Sequence, residues 1–124
     1  MNIDTIIKFY VPIAKPLSMA MERQKKHISI IVHKKEIIAI GQNEYKTHPQ
    51  SIKLGYRYPE MHSELDAYRK VPKSLRDKKL ILLNFRFNRF GNFRNSKPCN
   101  VCSKWCENVF HNIYYTTDEG IQLL

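Results

Sequence analysis

Two short motifs constrain this chain more than anything else in it. His62-Ser63-Glu64 stands where one helical pattern opens, and Pro98-Cys99-Asn100-Val101-Cys102 stands where the next one opens, with an apolar run over residues 80–85 between them. One histidine and two cysteines form the donor set of a catalytic zinc site, which takes three protein ligands and keeps a fourth position open for water. Cys99 and Cys102 are three apart, so on a helix they share a face and can hold the same ion. The first turn of a helix also favours thiolate, because its unpaired N–H groups and the helix dipole carry positive charge. Pro98 is read as the first residue of that helix, where its missing N–H would have had no partner anyway. The strand expected at 80–85 would lay both helices on one sheet, so that their N-termini meet although the motifs are far apart in sequence.

Glu64 follows His62 by two positions, a spacing that on a regular helix points side chains about 200° apart. The two converge only on an ion near the helix N-terminus. Glu64 then need not be a ligand and is free to move protons. Zinc lowers the pKa of a bound water towards ~7, which makes hydroxide available at neutral pH. Cys106, four residues after Cys102, lies one turn deeper. A fourth ligand would close the open position, so Cys106 is expected to be a buried packing thiol. A purely structural Cys-x-x-Cys clip with His62 as third ligand accounts for neither Glu64 nor Pro98.

The rest of the chain fits around these motifs. Its 124 residues point to one domain, 1–124. No apolar run approaches the roughly 18–20 residues of a membrane span, and no signal peptide is visible, so a soluble cytoplasmic (intracellular) protein without a membrane partner is expected. Three cysteines within one short stretch make a poor disulfide framework. Lysine and arginine total 21 against 11 acids, a net charge of +10. A field of that sign favours phosphate-bearing partners, nucleotides or nucleic acid.

Residues 4 to about 23 are read as a short helix, a break at Pro12 and Pro16, and a second helix through residues 17–21. Runs at 27–32 and 36–40, rich in isoleucine and valine and separated by Lys34-Lys35, read as a β-hairpin ended by Gly41. A long polar loop, 42–59, leads to a helix over 60–70. A strand at 80–85 and an irregular segment, 86–97, precede the cysteine helix, expected to reach about residue 110. Strands at 112–116 and 121–124, joined by Asp118-Glu119-Gly120, complete an α/β three-layer domain: a mixed five-stranded sheet flanked by helices, its last two strands an antiparallel hairpin.

His-x-Glu followed by Pro-Cys-x-x-Cys is a signature of zinc nucleobase deaminases. With both motifs in this order, the chain resembles the cytidine/deoxycytidylate deaminase superfamily along nearly its whole length. The resemblance implies a Zn2+ held by His62, Cys99 and Cys102, with Glu64 as the catalytic proton carrier. It implies hydrolytic deamination of an amino-pyrimidine, cytosine to uracil, in a nucleoside or a nucleotide such as deoxycytidylate. Gly41-Gln42-Asn43 resembles the family's Gly-x-Asn, so Asn43 inherits the hydrogen bond to the substrate sugar. The family often has alanine where Ser63 stands. Its nucleoside deaminases and some toxin-type polynucleotide deaminases end in an antiparallel hairpin, as expected here, and often assemble as homo-oligomers, whereas its deoxycytidylate, tRNA-adenosine and single-strand-editing members insert a helix and make the last strand parallel. Thr47-His48-Pro49 and the basic balance look more like nucleotide-using or phage-type members.

Two further substrate-binding candidates lie in the loop before the first motif: His48, and Arg57 between Tyr56 and Tyr58. Residues 85–94 interleave phenylalanines with arginines next to the site. Such interleaving suits single-stranded nucleic acid, and it equally suits an edge strand with its rings half in the core. A second reading therefore stays open, deamination of cytosine or adenine within single-stranded DNA or RNA. A third is an inactive nucleic-acid-binding module, against which Glu64 argues. His27, His33 and His111 carry no motif support.

Overall fold

The computed structural model describes residues 1–21, 26–44, 53–54 and 61–124. The chain opens with a helical segment, α1, in which an α-helical turn at Ile3–Thr5, a π-helical stretch at Ile6–Tyr10 and an α-helix at Val11–Met19 follow without a gap. The expected break at Pro12 is absent. Pro12 falls in the first turn of Val11–Met19, and the Val11 N–H reaches back five residues to the Ile6 carbonyl. Widening the turn leaves room for a ring that would otherwise press on the preceding helical turn. Pro16 lies inside the helix, at an exposed position.

Five strands follow: β1 (His27–His33), β2 (Glu36–Gln42), β3 (Ile81–Arg86), β4 (Asn112–Thr117) and β5 (Gly120–Leu123). Helix α2 is Ser63–Arg69 and helix α3 is Asn100–Val109, and a single 3-10 turn occupies Lys73–Leu75. The sheet order is β2-β1-β3-β4-β5. The β3–β4 pair is parallel, with α3 on the crossover, and the other three pairs are antiparallel. The terminal hairpin is therefore antiparallel, as the two intervening residues, Asp118 and Glu119, demand. β2 runs on through Gly41 to Gln42, two residues past its expected end. In the first hairpin Lys34 and Lys35 both take positive φ, 50° and 68°. That is the two-residue turn whose twist matches the strands. The Tyr10 hydroxyl, donating 2.7 Å to the Lys35 carbonyl, pins it to α1.

Strand alternation divides the core in two. Ile28, Ile30 and Val32 of β1 and Leu83 and Phe85 of β3 pack with Ile6, Tyr10 and Ala14 of α1. Ile31, Leu82 and Ile113 face the other way, against Ala67 of α2 and Cys102 and Cys106 of α3. The result is the expected three layers, with both motif-bearing helices on one side. Tyr68 ties them together, its ring 5.8 Å from Trp105 and 5.9 Å from Phe110.

Two contacts set α2 on the sheet. A Cβ on Gly41 would fall on backbone atoms of α2, at 2.5 Å from the Ser63 carbonyl oxygen and 2.7 Å from the Ala67 Cα. Backbone cannot yield as a side-chain tip does, so Gly41→Ala should cost about 3 kcal/mol, lowering Tm by roughly 10 °C. Thermal unfolding of the variant measures this. The second contact is the fully buried carboxylate of Asp66, which accepts from the Gln42 N–H at 3.0 Å and from Lys70 and Arg69 at 3.0 and 2.9 Å. Burial pushes its pKa up, but the Gln42 N–H and the two cations outweigh burial and hold it below its ordinary 3.8. A lowered pKa means the folded state favours the ionised form. The resulting stability is present above the ordinary carboxylate range and is lost as pH falls through 3.8 and below. The urea midpoint of the wild type should therefore exceed that of Asp66→Asn at neutral pH, and the gap should close in acid.

Candidate metal centre and cleft

The two motifs meet at the N-termini of α2 and α3. His62 is the N-cap of α2, with extended backbone (φ −73°, ψ 148°), so it stands outside the helical spacing that separates it from Glu64. Cys99 is the N-cap of α3, also extended, and its Sγ accepts from the Cys102 N–H at 3.4 Å. Pro98 thus sits one residue before the cap, where it is buried, and Asn100 is the first helical residue. The expectation that Pro98 opens the helix is corrected by that cap bond. A side-chain acceptor three residues back from an N–H belongs to the capping position, and here it is a sulfur.

His62 Nδ1 lies 3.8 Å from Cys99 Sγ and 3.4 Å from Cys102 Sγ, and one ligand atom from each residue falls within 4.8 Å of the others. Bonds of about 2.3 Å to sulfur and about 2.05 Å to nitrogen around a tetrahedral ion put nitrogen and sulfur about 3.6 Å apart. The observed pair of distances brackets that value. This is the one such group among the described residues, and it could hold a metal. The Cys99 thiol is drawn down to about 4, first by the Cys102 thiol and then by the His62 ring and the Cys102 N–H, against burial, which would raise it. Cys106 is the opposite case. It is fully buried in the apolar cluster with Val71, Leu80 and Leu82. Burial first, then the charges of Glu64, Cys99 and Glu107, push its thiol well up, so it stays neutral.

Beside the three donors opens a cleft of about 270 Å³, lined by Glu64, His62, Asn43, His27, Arg86 and Lys97 among others. Glu64 is almost wholly buried. Its Oε1 accepts from Ser63 Oγ at 2.9 Å and from Asn84 Nδ2 at 3.2 Å. Behind them lies Ser29 of β1, whose Oγ is 2.8 Å from Ser63 Oγ and donates 2.6 Å to Asn84 Oδ1. Asn84 Nδ2 also reaches the Ser96 carbonyl at 3.3 Å. A buried polar chain from β1 through β3 therefore sets the carboxylate. Ser63, where alanine is common in the family the protein resembles, is part of that chain.

Asn43 lies at the cleft, and its Oδ1 accepts from the His27 N–H at 3.0 Å, which orients the side chain. His48 and Arg57 lie outside the described residues. Asn84, Ser29, His27 and Lys97 were not singled out from the sequence. Asn84 alone left a trace there, as a lone amide inside the apolar run 80–85.

No family model matches the chain, and no curated protein matches it. Among solved structures, the dCMP deaminase of the cyanophage S-TIM5 in apo form superposes with a TM-score of 0.55 at 20% identity, covering 88% of this chain and 79% of that one. The same phage enzyme in complex with dCMP and dUMP superposes at 0.54 and 19% identity, covering 88% and 77%. The chain has the cytidine/deoxycytidylate deaminase fold. Within that fold, the β3–α3–β4 crossover carries the two cysteines, and α2, packed on β2 and β1, carries His62 and Glu64. No helix among the described residues is long and apolar enough to cross a membrane.

Proposed function

We propose that the chain is a zinc-dependent hydrolytic deaminase acting on the cytosine base of a nucleotide of the deoxycytidylate kind. The observation that carries this reading is the convergence of His62, Cys99 and Cys102 with a buried, hydrogen-bonded Glu64 at one cleft. The fold adds support, since the phage enzyme that shares it was crystallised with dCMP and dUMP. Zinc at the three donors, when bound, supplies Lewis acidity that makes water a usable nucleophile at neutral pH.

The chain's own groups do the rest. Among the described residues, the hydrogen bonds to Glu64 from Ser63 and Asn84 fall on Oε1, and Oε2 is assigned the proton transfers. Hydrolysis exchanges the exocyclic amine for oxygen: one water enters and one ammonia leaves. Glu64 takes a proton from that water as its oxygen bonds to the ring carbon and delivers it to the ring nitrogen beside the amine. It then takes the remaining proton from the newly attached hydroxyl and passes it to the departing nitrogen as the carbon–nitrogen bond breaks. Asn43, whose Oδ1 is taken by the His27 N–H, meets the sugar hydroxyl as a donor through its amide. Arg86 and Lys97 bring positive charge to the cleft, which favours a nucleotide over a nucleoside. In this scheme His48 and Arg57 remain candidates for the substrate phosphate or base.

The test is to incubate zinc-loaded protein with dCMP, CMP, deoxycytidine and cytidine and follow ammonia and the uracil product. The expected result is turnover of dCMP above the nucleosides. No product from any of the four sinks the proposal.

A further inference from the structure

The charge and aromatic residues of segment 87–94 are unused by the deamination site, and with Lys26 and Arg86 they form a second cleft that adjoins it. β3 ends at Arg86, and the chain folds back as a short finger through a bridge between Phe87 and Phe93. The finger is tightly built. Asn88 Oδ1 accepts from the N–H groups of Phe90 and Asn92, both at 2.9 Å, and the Asn88 N–H donates 2.9 Å to the Asn92 carbonyl. Gly91, at φ 82°, closes the turn and packs against Lys15 of α1. Phe87 is buried and anchors the base of the finger, stacked on Phe85.

At the tip, Phe90 is 70% exposed, the most exposed large apolar side chain among the described residues. The Arg89 guanidinium lies 4.8 Å from its ring centroid. The cleft beneath has about 420 Å³ and is lined by Lys26, Arg86, Asn88, Arg89, Phe90 and Arg94, with Phe87 at its floor. Four of these are cations and none is an acid. Among the described residues, Arg94 pairs with Asp118, an exposed residue 3.7 Å away. Arg86 lines this cleft and the Glu64 cleft alike.

We propose that this finger binds single-stranded nucleic acid, with Phe90 stacking on the base next to the one held at Glu64 and Arg86, Arg89 and Arg94 meeting the phosphodiesters on either side. A free mononucleotide fills only the Glu64 cleft and leaves the finger without a function. A phosphate chain without bases would use the arginines and leave Phe90 in water. A rigid exposed ring among cations, continuous with a base-sized cleft in a chain of net charge +10, fits a polynucleotide strand, whose bases stack on any aromatic face. The inference rests on the deaminase reading for which base is held at Glu64, but strand binding itself can be measured without turnover.

The experiment uses a fluorescein-labelled oligodeoxynucleotide of about 12 residues with one central cytosine, against zinc-loaded wild type, Phe90→Ala and Arg89→Glu. Both positions are exposed and lie away from Glu64 and the metal donors, so melting temperature and dCMP turnover should be those of the wild type. Anisotropy should show each variant weakening strand binding about tenfold or more. The log of the wild-type affinity should fall with the log of salt, and Arg89→Glu should flatten that slope by about 0.7 or more. The same oligonucleotide should yield uracil. Equal binding by wild type and Phe90→Ala, or equal competition by duplex DNA and by inorganic polyphosphate, overturns the proposal. Turnover of dCMP with no strand binding overturns it too and leaves the deaminase reading standing. Strand binding that depends on Phe90, with no turnover of any substrate, does the reverse.

Discussion

Replacing Glu64 by glutamine should reduce kcat for dCMP about a thousandfold while the protein keeps one zinc per chain. The substitution is nearly isosteric. The amide oxygen can still accept from Ser63 Oγ and Asn84 Nδ2, so the buried chain from Ser29 stays satisfied and α2 keeps its seat on the sheet. What the amide cannot do is take up and return a proton. The metal donors are untouched, because Glu64 is not among the three residues whose ligand atoms converge. Two readouts therefore separate two ideas. Zinc content by elemental analysis should match the wild type, and dCMP turnover should not. A variant that retains more than about a tenth of wild-type turnover removes Glu64 from the proton-transfer role, since general acid–base catalysis contributes roughly 10²–10⁴. A variant that loses its zinc would instead show that the carboxylate helps build the metal centre.

The parts of this molecule that were legible in its sequence are those encoded by local repetition or by chemically rare residues. Alternation in β1 separates Ile28, Ile30 and Val32 from Ile31, and that alone decides which residues meet α1 and which meet the motif helices. The short link around Asp118-Glu119 between β4 and β5 permits only a hairpin. Cysteine is scarce, and the pairing of His-x-Glu with Pro-Cys-x-x-Cys marks His62, out of five histidines, together with Cys99 and Cys102 without any distance. The prolines misled because their effect depends on the turn around them. Pro12 reads as a break until a π-helical turn absorbs it, and Pro98 reads as the first helical residue until the sulfur cap at Cys99 moves the helix start by two. The residues that set Glu64 were the least legible. Ser29, Ser63, Asn84 and Ser96 come from four separate segments, each an unremarkable polar residue in its own stretch. Only the pairing of Ser29 opposite Asn84 across β1 and β3 makes them a network. A buried amide within an apolar strand was the one hint, because such a group is costly unless partnered.

Stripping the metal with a chelator should abolish turnover and lower the melting temperature together, and the size of the second effect follows from where the donors sit. His62 and Cys99 cap two helices distant in sequence, and Cys102 is in the first turn of the second. An ion held by all three ties α2 to α3 at the ends that face the cleft, while Tyr68, Trp105 and Phe110 hold the helices further along. Free zinc a thousandfold above its dissociation constant stabilises the folded form by about 4 kcal/mol. For a chain of this size that corresponds to roughly 10–20 °C in Tm. Stoichiometric zinc should restore both activity and Tm. Cys102→Ala should reproduce the apo protein in both readouts, and added zinc should rescue neither. Cys106→Ser separates metal binding from packing. It places a hydroxyl in a fully buried apolar cluster, at a cost of about 1–3 kcal/mol, yet leaves the three donors in place. It should melt earlier than the wild type while still gaining stability on zinc addition. If Cys106→Ser abolishes the zinc-dependent rise in Tm as Cys102→Ala does, then Cys106 is a fourth ligand, the centre has no open position, and the deaminase reading fails with it.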